Sequence, residues 1–222
     1  MARLSASLVV CSLLLSAAPA AAHEREILRY NWRLLGFSGA LAGLFLPNDG
    51  DATLTTGPEL DGTVQSELLL TAPSSRNGEF WRYGAALDPN DGRTLRAWSH
   101  YLFRGEKKSK EQVLGQAGTI DIASGIYLLR RDPPTARKAM RIWSDGKEYP
   151  VEVVPHAVEM RKIGRRQVAV RRYSIVGVQK PGERLWKGSL DLWLTEDEQA
   201  TPVEILVERG WAAVRLRLEG AK

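Results

Sequence analysis

Three histidines are the side chains of this chain best suited to bind a transition metal. His23 follows the alanines at 20–22, and cleavage after Ala22 would make it the first residue of a mature chain. Its amino group and imidazole could then chelate one Cu²⁺, with His100 or His156 as a further ligand, because amine and imidazole nitrogens suit copper. Neither His100 nor His156 has neighbours in the sequence that are typical of residues supporting a metal ligand. Copper binding is therefore a remote alternative, and we predict no resident metal or other cofactor.

The serines and the single cysteine offer little for covalent catalysis. The sequence at 36–39 is one glycine short of a G-x-S-x-G elbow, because Ala40 stands where the last glycine belongs. Ser99 and His100 are neighbours on a predicted strand, so their side chains point to opposite faces. Cys11 lies in the N-terminal apolar run, and the rest of the chain has no thiol. We predict that the protein is not an enzyme.

A basic segment is the clearest chemical feature of the sequence. Residues 130–172 contain twelve Lys and Arg against five Asp and Glu. Arg130 and Arg131 end a predicted helix, whereas Arg165 and Arg166 follow a glycine at a predicted hairpin tip. Such a surface favours an anionic partner. We expect these four arginines to approach the anionic head of a ligand, and the alternative is a solvated hairpin with its charges on the wet face.

Trp193 is the aromatic residue that we single out as a ligand contact. It lies on the strand face opposite Leu190, Leu192 and Leu194, beside Asp191. A tryptophan in that position either packs under the helix or lines a groove. Core packing and ligand contact both remain open at this point.

The N-terminal segment is typical of a secretory signal. Arg3 gives a positive start, residues 8–15 form a short apolar run, and Ala20–Ala22 provide small residues for cleavage. A membrane span needs about 20 apolar residues, which this diluted stretch lacks. We predict a signal peptide at 1–22, export to the periplasm, and no integral membrane span after cleavage. Export also removes nucleic acid, the usual partner of a basic patch, from consideration.

Period-two alternation recurs along the remaining chain and predicts strands. Three late examples are Leu190–Leu194, Val203–Val207 and Val214–Leu218, whose other faces carry charged residues. One buried and one wet face are typical of antiparallel sheets. Turn pairs such as Asp145-Gly146 separate long strands, and long strands curl. The fold class is therefore all-β, a curved antiparallel sheet or an open β-barrel, in a single domain at 23–222.

Two segments depart from the alternation. Residues 121–131 have apolar positions at helical spacing, Asp121 as a candidate N-cap, and Asp132-Pro133-Pro134 as a stop. They predict one short helix that plugs a mouth of the curved sheet or covers its concave face. Residues 34–46 are apolar and small, and are either a buried strand or bend, or a surface that touches lipid or a partner.

Several motifs together resemble those of a known family. They are the opening strand at 27–32, the helix segment at 121–134, the stretch at 142–153 and the closing hairpin at 190–220. In this order they resemble the Gram-negative periplasmic domain-of-unknown-function family 3108. The closing hairpin is also similar to those of periplasmic lipoprotein carriers and sigma-factor regulators that bind acyl chains in open β-barrels. The resemblance implies a periplasmic β-rich protein and assigns no catalytic residues.

These observations lead to three hypotheses on function. The leading one is a non-enzymatic envelope protein that binds an apolar or amphipathic, lipid-like ligand on a concave sheet face with a basic rim. The second is a structural or scaffolding module that binds an envelope protein. The third is an enzyme or a copper protein. The first fails if side chains of the protein itself fill the concave face.

Overall fold

The computed structural model of the chain describes residues 25–35, 47–73, 78–114, 118–209 and 212–220. These residues form thirteen strands and one helix, α1 (Ile122–Arg131). The strands are β1 (Glu26–Leu35), β2 (Asp49–Pro58), β3 (Val64–Thr71), β4 (Phe80–Leu87), β5 (Thr94–Phe103), β6 (Glu106–Val113), β7 (Thr119–Ile120), β8 (Lys138–Ser144), β9 (Lys147–Ile163), β10 (Arg166–Gly177), β11 (Gly188–Thr195), β12 (Pro202–Arg209) and β13 (Ala212–Leu218). The predicted signal segment 1–22 and residues 36–46 of the predicted apolar segment lie outside the described residues.

All thirteen strands belong to one open sheet, which confirms the predicted fold class. Its order is β6-β5-β4-β3-β2-β1-β13-β12-β11-β10-β9-β8-β7. Neighbouring strands pair antiparallel, except that β7 and β8 are parallel. The first and last strands are neighbours, because β1 pairs with β13 from Tyr30↔Leu218 to Leu35↔Ala213. The first and last strands thus meet in the middle of the sheet.

The alternating pattern predicts the inward faces of most strands. Leu190, Leu192 and Leu194 are buried in the main core, and so is Ile205 on the neighbouring strand. Val203 departs from this prediction, because it belongs to a separate cluster on the opposite face. The register shifts between Trp193 and Leu194, and this irregularity changes which residues face inward at the end of the strand.

The helix forms where the sequence predicts it. Asp121 is its N-cap, with its carboxylate accepting from the Ser124 amide, while the Ser124 hydroxyl accepts from the Asp121 amide. Desolvation raises the pKa of the Asp121 carboxyl. The buried face of α1 carries Ile126 and Leu129. Helix α1 contacts β3 and β4 on one side and β11 on the other, so it lies inside the curve of the sheet.

Side chains join edge strand β6 to β8 and to the turn after β8, near the other edge of the sheet, where no backbone ladder does. The Trp143 indole on β8 donates to the Gln112 side chain on β6 at 2.9 Å. Lys110 on β6 donates to the Asp145 carbonyl at 2.9 Å. Trp143 is buried with Ala97 and Leu114. We call these contacts the seam, and it keeps an open sheet in a barrel-like curve.

Among the described residues, no helix has the length and apolarity needed to cross a membrane. Helix α1 has ten residues and packs on the protein core.

The seam predicts a specific loss of stability. Trp143→Ala should lower the free energy of unfolding by about 3–5 kcal/mol, because it removes a buried ring and leaves a cavity. Trp143→Phe keeps most of the ring and should cost about 1 kcal/mol for the lost hydrogen bond. Urea unfolding of both variants measures the difference. An unchanged midpoint for Trp143→Ala would show that the edges do not depend on each other.

Candidate functional site

The concave face of the sheet has an open apolar cavity at one end. Its volume is about 320 Å³. No charged side chain of the described residues lines it, and three of its residues are the aromatics Trp32, Trp81 and Phe103. The lining residues are Trp32, Leu34, Pro47, Leu68, Leu70, Trp81, Tyr83, Phe103, Ile122, Val207, Val214 and Leu216. We call it the mouth cavity.

Aromatic rings form one wall of the mouth cavity. Trp32 and Trp81 meet edge to face with ring centroids 6.2 Å apart, and Phe103 is 6.0 Å from Trp81. The Trp32 indole donates to the Thr71 carbonyl at 2.9 Å, which fixes the plane of its ring. Gly50 makes this approach possible, because a Cβ there would lie 2.0 Å from the Thr71 carbonyl oxygen. The wall is therefore rigid before any ligand arrives.

Gly50 has a different role from the one that the sequence predicts. The Asn48-Asp49-Gly50 motif indicates a tight turn. In the structure Gly50 is the second residue of β2, opposite Trp32 in the register with β1. The glycine is needed because a bulky indole packs against its backbone, and period-two patterning carries no sign of such a contact.

Helix α1 forms the floor of the mouth cavity. Ile122, its first residue, lines the cavity, while Ile126 and Leu129 are buried deeper in the main core. Most of the concave face is thus filled by the protein itself. The mouth cavity lies at the end where β1 and β4 contribute Leu34 and Trp81.

Arg130 and Arg131 lie at the opposite end of the sheet, where they clamp the last turn of α1. The Arg130 guanidinium makes two hydrogen bonds with the Glu26 carboxylate at 2.6 and 3.0 Å, and a third with the Ala200 carbonyl at 3.2 Å. Arg131 donates to the Pro89 carbonyl at 3.0 Å. Both predicted ligand-binding arginines therefore have partners within the protein. They line a separate cavity of about 660 Å³, not the mouth cavity.

Arg165 and Arg166 are exposed at the turn between β9 and β10, as the sequence predicts. They line neither the mouth cavity nor the cavity beside Arg130. The prediction that four arginines surround one anionic head is not met by this arrangement. The tertiary structure explains this. The end of the helix and the tip of the hairpin belong to one basic segment of the sequence, but they lie at different places on the sheet.

Trp193 neither packs under the helix nor lines the concave groove. It lies on the outer face in a small cluster with Val170 and Val203. The end of β9 covers it, because the Trp193 indole donates to Glu159 at 2.7 Å and the Arg161 guanidinium lies 4.3 Å from the ring centroid. The indole hydrogen bond, with Arg161 beside it, lowers the pKa of Glu159. No signal in the sequence indicated that Glu159 and Arg161 of β9 would cover this ring.

His156 takes part in a chain of hydrogen bonds on the same outer face. Arg172 lies 3.2 Å from Nδ1 of His156, and Nε2 lies 2.8 Å from the Ser174 hydroxyl, which donates to Asp191. Because arginine only donates, Nδ1 accepts and Nε2 carries the ring proton. The serine proton is directed to Asp191 instead of to the imidazole, which is the reverse of what a nucleophilic serine needs.

The remote copper arrangement finds no further support among the described residues. His23 lies outside them. His100 lies on β5 with Arg82 and Ser109 as its register partners, whereas His156 contacts Ser174 and Arg172. No group of three or more His, Cys, Asp or Glu side chains suited to a metal occurs in the part of the chain that the structure describes.

Comparisons with known proteins add evidence on the fold. No protein-family model matches the chain, and no curated protein matches it. A crystal structure of a β-barrel-like protein of domain of unknown function DUF1849 from Brucella abortus is similar, with a TM-score of 0.55. Its identity is 10%, and the alignment covers 86% of this chain and 94% of that chain. The likeness supports a β-barrel-like domain and does not extend to family 3108 or to lipoprotein carriers.

Arg130 holds the last turn of α1 through its contacts with Glu26 and Ala200, and we call these contacts the clamp. Arg130 should therefore matter more for stability than an exposed arginine such as Arg165. Arg130→Gln should lower the free energy of unfolding by about 1–3 kcal/mol, because it removes charge-assisted hydrogen bonds to Glu26 and to two carbonyls. Arg165→Gln should change it by less than about 0.5 kcal/mol, as at an ordinary surface position. Chemical denaturation of the two variants measures both. Equal effects would contradict the assignment of Arg130 to the clamp.

The lowered pKa of Glu159 predicts a pH-dependent indole signal. The contact with Trp193 should persist above the ordinary glutamate pKa of about 4.3 and be lost as the pH falls through the lower folded value. In ¹⁵N NMR spectra the Trp193 indole resonance should shift only in that acidic range. The Trp143 indole, bound to the neutral Gln112, serves as a control. A Glu159→Gln variant that kept the Trp193 transition would exclude Glu159 as its source.

Proposed function

We propose that the protein is an envelope protein that binds the apolar part of an amphipathic, lipid-like ligand in the mouth cavity. The observation that carries the proposal is the lining of this cavity, which in the described part of the chain is almost wholly apolar and contains no charged side chain. Ligand pockets typically occupy about 300–1,000 Å³ and are lined mainly by hydrophobic and aromatic groups. The mouth cavity, at about 320 Å³, has room for one small apolar group or the end of an acyl chain.

The energetics favour burial of hydrocarbon in this cavity. Removal of apolar surface from water contributes about 25 cal/mol per Å². A preformed aromatic wall reduces the ordering that binding requires, because Trp32 is already fixed by the Thr71 carbonyl and by Trp81. A polar head would remain at the opening, in contact with water. The cavity thus suits an amphipathic molecule better than a fully polar one.

A binding role without catalysis fits the chemistry around the cavity. Among the residues that the structure describes, its lining includes the tyrosine Tyr83 but no acid, base or thiol. The outer-face group of His156, Ser174 and Asp191 directs the serine proton away from the imidazole. The location in the periplasm follows from the export signal that the sequence predicts at residues 1–22, and it belongs to this proposal.

Binding of a hydrophobic probe tests the proposal. N-phenyl-1-naphthylamine should become fluorescent on addition of the protein, and palmitate should displace it. Val214→Arg places a charge in the cavity wall and should weaken binding by about tenfold or more. Val113→Arg introduces the same charge at an exposed position on β6 and should leave binding within about twofold.

Native mass spectrometry of protein purified from its own envelope without detergent provides a second readout. An extra mass that extracts into organic solvent and is lost in Val214→Arg would support a lipid-like ligand. Absence of probe binding by the parent protein would overturn the proposal. Equal binding by the Val214→Arg and Val113→Arg variants would place the probe elsewhere and also contradict it. The protein-binding scaffold would then be the working hypothesis.

A further inference from the structure

The outer face of β1 and β13 has an unusual concentration of arginines. Arg33 and Arg215 are direct partners in the register of these strands, and Asn31 and Arg217 form the adjacent pair. Together with Leu35 they line a cavity of about 340 Å³. The residues between them, Trp32 and Leu216, belong to the core face. This site is therefore separated from the mouth cavity by the thickness of the sheet. We call Arg33, Arg215 and Arg217 the arginine cluster.

The carboxylates of the protein only partly neutralise the arginine cluster. One carboxylate, Glu204, is shared by three guanidinium groups, at 3.4 Å from Arg215, 3.3 Å from Arg217 and 3.1 Å from Arg161. Within the described residues Arg33 makes no ion pair, although Asp49 is its partner in the register with β2. The contact of Arg215 with Glu204 is made by its Nε atom, which is buried and faces the carboxylate as an ion pair without a hydrogen bond. Donors and positive charge thus remain in excess at this cavity.

Two guanidinium groups directly opposite each other destabilise a sheet, because like charges repel across the strands. An anion between them would reverse the sign of that interaction. Arginine is the side chain best suited to hold a phosphate group, since its planar fork donates two parallel hydrogen bonds. The Asn31 amide, which lines the cavity, already donates to the Glu219 carboxylate. Arg33 and Arg215 line the same cavity.

We propose that the arginine cluster binds a phosphate group, with Arg33 and Arg215 as its two main donors. This site is additional to the proposed ligand site in the mouth cavity and lies on the opposite face of the sheet. A second outer cavity continues from Arg217 to Arg161, Lys162 and Gly164. It leads to the tip that carries Arg165 and Arg166. A lipid headgroup and a soluble phosphorylated molecule share the chemistry that this surface recognises.

Titration calorimetry with pyrophosphate and co-sedimentation with vesicles test the proposal. The vesicles contain phosphatidic acid in phosphatidylcholine, and pure phosphatidylcholine vesicles are the blank. Arg33→Gln should weaken binding by about tenfold or more, because it removes one of the two main charge-assisted donors. Arg137→Gln removes the same charge from a distant exposed ion pair on the loop before β8 and should stay within about twofold of the parent.

Folding is not at risk in the main variant. Arg33 makes no ion pair among the described residues, and its removal relieves repulsion with Arg215, so the thermal midpoint should stay or rise. Binding should also weaken with ionic strength, since salt screens exposed charges. Binding of pyrophosphate alone would identify a soluble phosphate, and binding of vesicles alone would identify a headgroup. Failure of both ligands to bind the parent, or equal binding by Arg33→Gln, would overturn the proposal.

Discussion

The burial of helix α1 inside the curved sheet is the constraint on which the rest of the structure depends. A sheet of thirteen strands without a closing ladder would leave a large apolar concave face exposed. The helix fills this face with Ile126 and Leu129, and its N-cap and its final arginines fix its position along the sheet. Because the helix begins at Ile122, the space on the N-terminal side of this residue remains open. The mouth cavity is a consequence of the length of the helix.

The two faces of the sheet differ in chemical character. The inner face is apolar from the helix to the mouth, where Trp32 and Trp81 form a fixed wall. The outer face carries ion pairs and hydrogen-bond chains, centred on Glu204 and on His156. This division follows from the alternation of side chains along each strand. An apolar ligand would therefore contact the inner face, and a separate molecule that carries a phosphate group would contact the outer face of the same strands.

The sequence predicts the elements better than the site. The helix was predictable because Asp121, the helical spacing and Pro133 are local signals that act within one turn. The strands were predictable because their pattern repeats every two residues. The partners of Arg130 were not, since Glu26 lies 104 positions away along the chain. Trp193 was placed on the correct side of its strand, but nothing local indicated that Glu159 and Arg161 would cover it.

The sequence by itself determined an all-β chain with one short helix, the inward residues of most strands and the exposed hairpin tip. Each of these depends on residues within a few positions of one another. Only the tertiary structure decided which charges meet and where space remains. The pairing of β1 with β13 brings Arg33 opposite Arg215, although 182 positions separate them. The same pairing places Val214 and Leu34 together at the mouth. Such contacts depend on strand order, which the periodicity of a single strand does not encode.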